Sequence, residues 1–335
     1  MKNSKEYILH LASQNQPTMA FDKNVSLNEW QNSAREKLKE LLGLPLIQCD
    51  DVFTIQKEEK KEGYSKFDFT FQSEPGYEVG CSLLVPDGIK EPKPVVICLQ
   101  GHSSGKHISA GEPYFPGDPG DIAGGRDFAV QAVREGYCAI ALEQRYMGFS
   151  GSTEKGKPSC LADNTAMAAL LMGRTAIGER VWDVQRLMDV IEKHLTQYID
   201  PGQIICLGNS GGGTTTFYAA CVDERIRMAV PSCAVCTFEE SIMAMYHCPC
   251  NFVPNIRKYF NMGDLGCLIA PRPLIVVCGI EDKIFPVHGV EKSYNIMREA
   301  YESIGKESLC HLVKGNGGHM FYPEEVWPII RGIIG

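Results

Sequence analysis

The chain has 335 residues, 44% of them hydrophobic and 22% charged, an ordinary globular composition that excludes a disordered, collagen-like or coiled-coil protein. Its 33 Lys and Arg against 41 Asp and Glu leave a net charge of −8, and no basic cluster stands out, which argues against a nucleic-acid partner. No run reaches the ~18 apolar residues that span a bilayer, and the N-terminus lacks a basic region followed by an apolar core, so a cytoplasmic protein with no membrane partner is expected.

Residues 1–50 read as an N-terminal helical extension. Trp30, Ala34, Leu38 and Leu41 share one face of a helix from about Leu27 to Leu42, closed by Gly43 and Pro45. Ser65 to Ser73 then alternates, with Phe67, Phe69 and Phe71 on one face. Glu74-Pro75-Gly76 turns the chain into a second strand, Tyr77 to Pro86, making an antiparallel hairpin. The run Lys57-Glu58-Glu59-Lys60-Lys61 is mixed in sign.

From Pro94 onward, short apolar runs alternate with helices. Val95 to Leu99 is solidly apolar, as a parallel strand covered on both faces must be. A helix near Arg126 to Glu135, a strand at Tyr137 to Leu142 and a long helical stretch from about Ala162 to Leu195 follow, the last broken near Gly173 or Gly178. Further strands are expected at Ile204 to Leu207, Met228 to Pro231, Leu274 to Cys278 and Ser308 to Val313. Helices are expected after Ser210, from about Val290 to Ile304 and from Glu324 to Ile334. This order predicts one three-layer α/β unit over 51–335, with an eight-stranded, mostly parallel sheet and an antiparallel N-terminal hairpin. Residues 237–264 fit no βα unit and read as an insertion over the carboxyl edge of the sheet. Their bulky side chains, among them Met243, Met245, Tyr246, Phe252, Tyr259 and Phe260, are expected over the site.

The pattern G-x-S-x-G occurs twice, and each copy follows an apolar run. After Gly208-Asn209-Ser210-Gly211-Gly212 come small residues that pass into a helix. After Gly101-His102-Ser103-Ser104-Gly105 comes a stretch to Gly120 with two prolines and several glycines, which cannot form that helix. Ser210 is therefore the expected nucleophile and Ser103 a decoy. A serine hydroxyl needs a base to take its proton. With the elbow, the chain order is Ser, then Asp or Glu, then His. Glu281 and Asp282 compete in the loop after Leu274 to Cys278. Asp282 fits G-x-x-D-x-x-x-P and is the expected acid; Glu281 is expected to face solvent. His319, in Gly317-Gly318-His319 after the last strand, is the expected base. The N–H of Gly211 and that of His102, in the turn after Leu99, are the expected oxyanion donors.

These residues, together with Glu143-Gln144-Arg145-Tyr146-Met147-Gly148, Arg180-Val181-Trp182-Asp183-Val184 and Pro271-Arg272-Pro273-Leu274, resemble the α/β hydrolases of acetyl xylan esterase-like and dienelactone hydrolase-like type. The resemblance covers roughly residues 50–335. Dienelactone hydrolases proper use a cysteine where this chain has Ser210. The resemblance implies an α/β-hydrolase fold and a serine esterase acting on a small-molecule ester. A short acyl group on a carbohydrate, such as an acetylated oligosaccharide, is the first choice. A peptidase related to prolyl oligopeptidases and a catalytically silent binding protein are the alternatives, and a homo-oligomer is left open.

No cofactor and no metal are expected, since the triad uses neither. Fourteen cysteines without an export signal read as thiols, with Cys98, Cys138, Cys206 and Cys278 as small buried hydrophobes. Cys233, Cys236, His247, Cys248 and Cys250 crowd together in sequence. Their spacing is not that of a standard zinc ribbon, and they read as a cysteine-rich wall above the site. Arg145, Arg174, Arg180 and Asp183 read as ion pairs that fix the loops under the long helix.

Overall fold

A computed structural model describes residues 3–151 and 164–334. Its centre is a nine-stranded sheet. The strands are β1 (Thr54–Lys61), β2 (Tyr64–Glu74), β3 (Tyr77–Pro86), β4 (Lys93–Leu99), β5 (Cys138–Leu142), β6 (Ile199–Asn209), β7 (Ile226–Ser232), β8 (Leu274–Gly279) and β9 (Cys310–Gly315). Their spatial order is β1-β2-β3-β5-β4-β6-β7-β8-β9. The pairings β1–β2, β2–β3 and β3–β5 are antiparallel, and all others are parallel.

The expected eight strands are therefore nine. The additional strand, β1, is an edge strand whose side chains are mostly exposed on both faces. A strand wet on both sides has no reason to alternate apolar and polar residues, so its charges read as a solvated run. The alternating β2 and the apolar β3 fall where expected.

The sheet separates two apolar layers, and the pleat assigns residues to each. Val95, Ile97 and Leu99 of β4 join one layer with Phe69, Phe71, Val181, Val184 and Leu187. Val96 and Cys98 join the other with Phe128, Leu207, Val326 and Trp327. Fully burying one such side chain contributes about 1.5–3 kcal/mol before conformational entropy is counted.

The helix Leu27–Leu42 ends as expected at Gly43, whose φ of 78° suits the left-handed cap. Its Ala34, Leu38 and Leu42 enter the first layer, so the N-terminal segment shares the core of the main unit. The Gln31 side chain donates to the carbonyls of Cys267 and Ala270, 2.8 and 2.7 Å away. The long helical stretch is two helices, Thr165–Leu171 and Ala176–His194, parted at Gly173 (φ 73°) and not at Gly178. Its expected start at Ala162 lies outside the described residues. Among the described residues, no helix is long and apolar enough to cross a membrane.

Candidate active site

Ser210 stands between β6 and the helix Gly211–Val222, with φ 54° and ψ −124°. Such a conformation costs a non-glycine residue of order 1–3 kcal/mol, which the surroundings must overcome. They do so by crowding. A Cβ on Gly212 would lie 2.0 Å from the Leu99 carbonyl oxygen, and one on Gly208 would lie 2.5 Å from the Gly212 backbone. The Ser210 N–H donates to the Ser232 carbonyl at 2.8 Å, and the Ser210 carbonyl accepts from Thr214 N–H at 2.8 Å. The turn after β4 closes over the same residue: a Cβ on Gly101 would sit 2.9 Å from the Ser210 Cβ. The next residue, His102, lays its ring 3.3 Å from where a Gly211 Cβ would be, and the Met147 methyl reaches within 3.0 Å of that point.

Asp282 follows β8, and its Oδ2 meets His319 Nδ1 at 2.8 Å. Oδ1 accepts the N–H groups of Ile284 and Phe285 at 2.8 and 3.2 Å. Burial alone would raise this carboxyl. The hydrogen bond and charge of His319, with the two N–H groups, hold it below the usual range, so it stays ionised. A carboxylate on Nδ1 places the ring proton there and leaves Nε2 as the basic nitrogen. The loops after β8 and β9 are tied together, Glu281 N–H donating to Gly317 O at 2.8 Å. Glu281 itself is exposed, as expected.

The two halves join at the end of β7. Ser232 receives the Ser210 N–H, and the sulfur of the next residue, Cys233, lies with Asp282 and His319, their ligating atoms all within 4.8 Å of one another. His247, from the insertion, packs on Phe285, whose ring lies 6.0 Å from that of His319. Burial lowers the basicity of His247; Cys250 opposes this, and both His102 and His319 reinforce it.

The second copy of the G-x-S-x-G pattern is built differently. Ser103 is buried and lacks the elbow geometry, and the chain after it makes only a short turn at Lys106–Ile108. Its neighbour Ser104 joins His107 and Asp118, a second set of serine, histidine and aspartate. There the serine hydroxyl and the carboxylate meet the same ring atom, Nε2, so the imidazole cannot pass a proton from one side to the other. That set holds its loop in place.

The expected roof is also different. Phe260 is buried in the first apolar layer, Tyr259 lies under Lys37, and Met243 packs at the N-terminal segment beside Leu11 and Arg257. Tyr246 is exposed. The groups packed around Gly211, His102 and His319 are instead Met147, Phe285, His247 and Cys250. Cysteine spacing could not show this, because Cys233 and Cys236 part from Cys248 and Cys250. Cys236 faces the Pro286 carbonyl, while Cys250 meets His102. Arg145 and Arg174 form the expected ion pairs. Arg145 binds Asp183 through Nε and Nη2, at 2.8 and 2.7 Å, and Glu74 through Nη1; Arg174 binds Glu74 and Glu179. Arg180 Nε donates to the Arg145 carbonyl.

Glu143, after β5, is clamped between Gly105 and Gly148. Burial lifts its carboxyl from 4.5 to about 7, against the pull of Lys106 and of two backbone N–H groups. A folded value above the unfolded one means that folding is favoured while Glu143 keeps its proton. That stability is complete below pH 4.5 and is lost as pH rises to about 7, on the order of 3 kcal/mol in all. Glu143→Gln should thus melt like the native chain near pH 4.5 and several degrees higher at pH 8. Melting curves at the two pH values check this, and a lower Tm at pH 8 would contradict it.

A family model described as an abhydrolase family matches residues 4–308. A Bacillus subtilis (strain 168) protein assigned as a hydrolase, YtaP, is 25% identical over 290 residues, covering 85% of this chain and 92% of that protein. Among solved structures, one from Bacteroides fragilis NCTC 9343, assigned as an acetyl xylan esterase, superposes with a TM-score of 0.83. Its identity is 20%, over 99% of this chain and 95% of that one. A glucuronoyl esterase from Solibacter usitatus gives a TM-score of 0.71 at 15% identity, over 96% and 98%. Likeness at that identity speaks for a shared fold.

Proposed function

The chain belongs to the abhydrolase family, and from that premise we propose that it is a serine esterase removing short acyl groups, acetyl first, from carbohydrate. One observation carries the reading. A serine held at φ 54° opens a helix at the end of β6, and a histidine bonded to a buried carboxylate occupies the loops after β8 and β9. In this mechanism Ser210 Oγ attacks the ester carbonyl while His319 Nε2 takes its proton. Asp282 holds the imidazole and stabilises its cation. The N–H groups of Gly211 and His102 receive the oxyanion. The alcohol leaves with the proton from His319, and water, deprotonated by the same nitrogen, releases the acid.

The carbohydrate part draws on the names of the similar structures, acetyl xylan esterase and glucuronoyl esterase. The short-acyl part draws on Met147 and Phe285, which crowd Gly211 and His319. The test is a series of p-nitrophenyl esters beside acetylated xylo-oligosaccharides and peptide amides. Six extra methylenes, each affecting fit by ~1–3 kcal/mol, should make kcat/KM fall by ~100-fold or more from acetate to octanoate. Release of acetate from the oligosaccharide and silence on amides are expected. A kcat/KM that climbs with chain length, or cleavage of amides, would displace the reading.

A further inference from the structure

We propose that His102, Cys248 and Cys250 form a binding site for a soft divalent cation such as Zn²⁺, and that filling it switches off the neighbouring serine centre. From sequence, no metal is expected, and Cys248 and Cys250 read as part of a cysteine-rich wall. In the folded chain, the ligating atoms of these three residues lie within 4.8 Å of one another. Cys250 Sγ stands 3.5 Å from His102 Nε2. Tetrahedral zinc, with bonds of about 2.3 Å to sulfur and 2.0–2.1 Å to nitrogen, sets its ligands about 3.5 Å apart, so this pair is already at working distance. The turn Pro249–Asn251 brings the Cys250 N–H to Cys248 Sγ at 3.5 Å. An N–H aimed at sulfur favours the thiolate, the form that binds metal.

Two buried sulfurs and one half-buried imidazole make a set suited to zinc, cadmium or cobalt and not to magnesium or calcium. Binding is an exchange without redox change. Two thiol protons leave to solvent, two S–metal bonds and one N–metal bond form, and His102 keeps its proton on Nδ1. Affinity should therefore rise with pH. The effect on catalysis rests on the serine-esterase reading. The His102 ring lies against Gly211, and both residues are proposed oxyanion donors, so a cation on Nε2 fixes that loop beside the reacting carbon.

The experiment titrates Co²⁺ into the reduced, metal-free full chain and follows thiolate-to-cobalt charge-transfer absorbance. One equivalent should saturate the native protein. The Cys248→Ser/Cys250→Ser variant should lose the band or bind at least tenfold more weakly, and Cys233→Ser/Cys236→Ser should keep it. His102→Gln, with one ligand lost and both sulfurs kept, guards against a misfolded double variant and should show weaker binding, with circular dichroism matched to the native chain. No band in the native chain, or binding as tight as native in either the double variant or His102→Gln, overturns the site. Ester hydrolysis is measured first without metal, which tests the esterase reading separately. Zn²⁺ should then inhibit the native chain, chelator should restore it, and the Cys248/Cys250 variant should resist. Equal inhibition of that variant overturns the switch.

Discussion

Ser210→Ala should lower kcat toward a p-nitrophenyl ester by ~10⁴ to 10⁶, because nucleophile, base and acid act as one unit and the residue left behind has no hydroxyl to attack with. The folded state should survive. The helix after Ser210 and its close glycine contacts do not involve the hydroxyl, and alanine keeps the same backbone hydrogen bonds to Ser232 and Thr214. Ser103→Ala is the matched control. Ser103 lies in the same pattern of residues, but its hydroxyl has no hydrogen-bond partner among the described residues and it sits outside an elbow, so kcat should change less than tenfold. Active-site titration with a fluorophosphonate checks the pair independently: labelling should vanish with Ser210 and persist without Ser103. If Ser103→Ala is the inactive variant, the nucleophile has been misplaced.

Asp282→Asn should cost about 10⁴ in kcat at neutral pH. The amide can donate to His319 Nδ1, which stabilises the tautomer with its proton on Nε2, facing the wrong way. It also withdraws the negative charge that stabilises the imidazolium in the transition state. Ile284 and Phe285 N–H still find an oxygen, so the loop should hold its shape. Glu281→Gln, one residue away and exposed, should be nearly silent. A melting curve separates a chemical loss from a collapsed loop, since a collapsed loop would also lower Tm. The reverse ranking of the two variants would sink the assignment of Asp282.

What could be read from the sequence was local. The helix Leu27–Leu42 carries its own stop at Gly43, and β2 announces itself by Phe67, Phe69 and Phe71. Ser210 and His319 sit in glycine-rich turns whose steric demands show in neighbouring residues. Asp282 is marked by its place after an apolar run. Periodicity says which face of an element is buried, and stops short of saying against what. Hence Phe260 read as a roof and lies in the core, and β1, with neither face buried, left no period at all. Contacts across long stretches of chain were out of reach. His102 and Cys250 meet across 148 positions, and Arg145 meets Glu74 across 71. Nothing near either residue in sequence encodes those meetings.

The charged edge strand has one more effect. β1 ends the sheet and, among the described residues, pairs only with β2, so a row of backbone N–H and C=O groups faces outward, a template on which another extended chain could lengthen the sheet. Any chain that docked there would have to strip water from Lys57, Glu58, Lys60 and their neighbours, which are solvated on both faces. The antiparallel meander therefore carries its own stop against edge-to-edge aggregation.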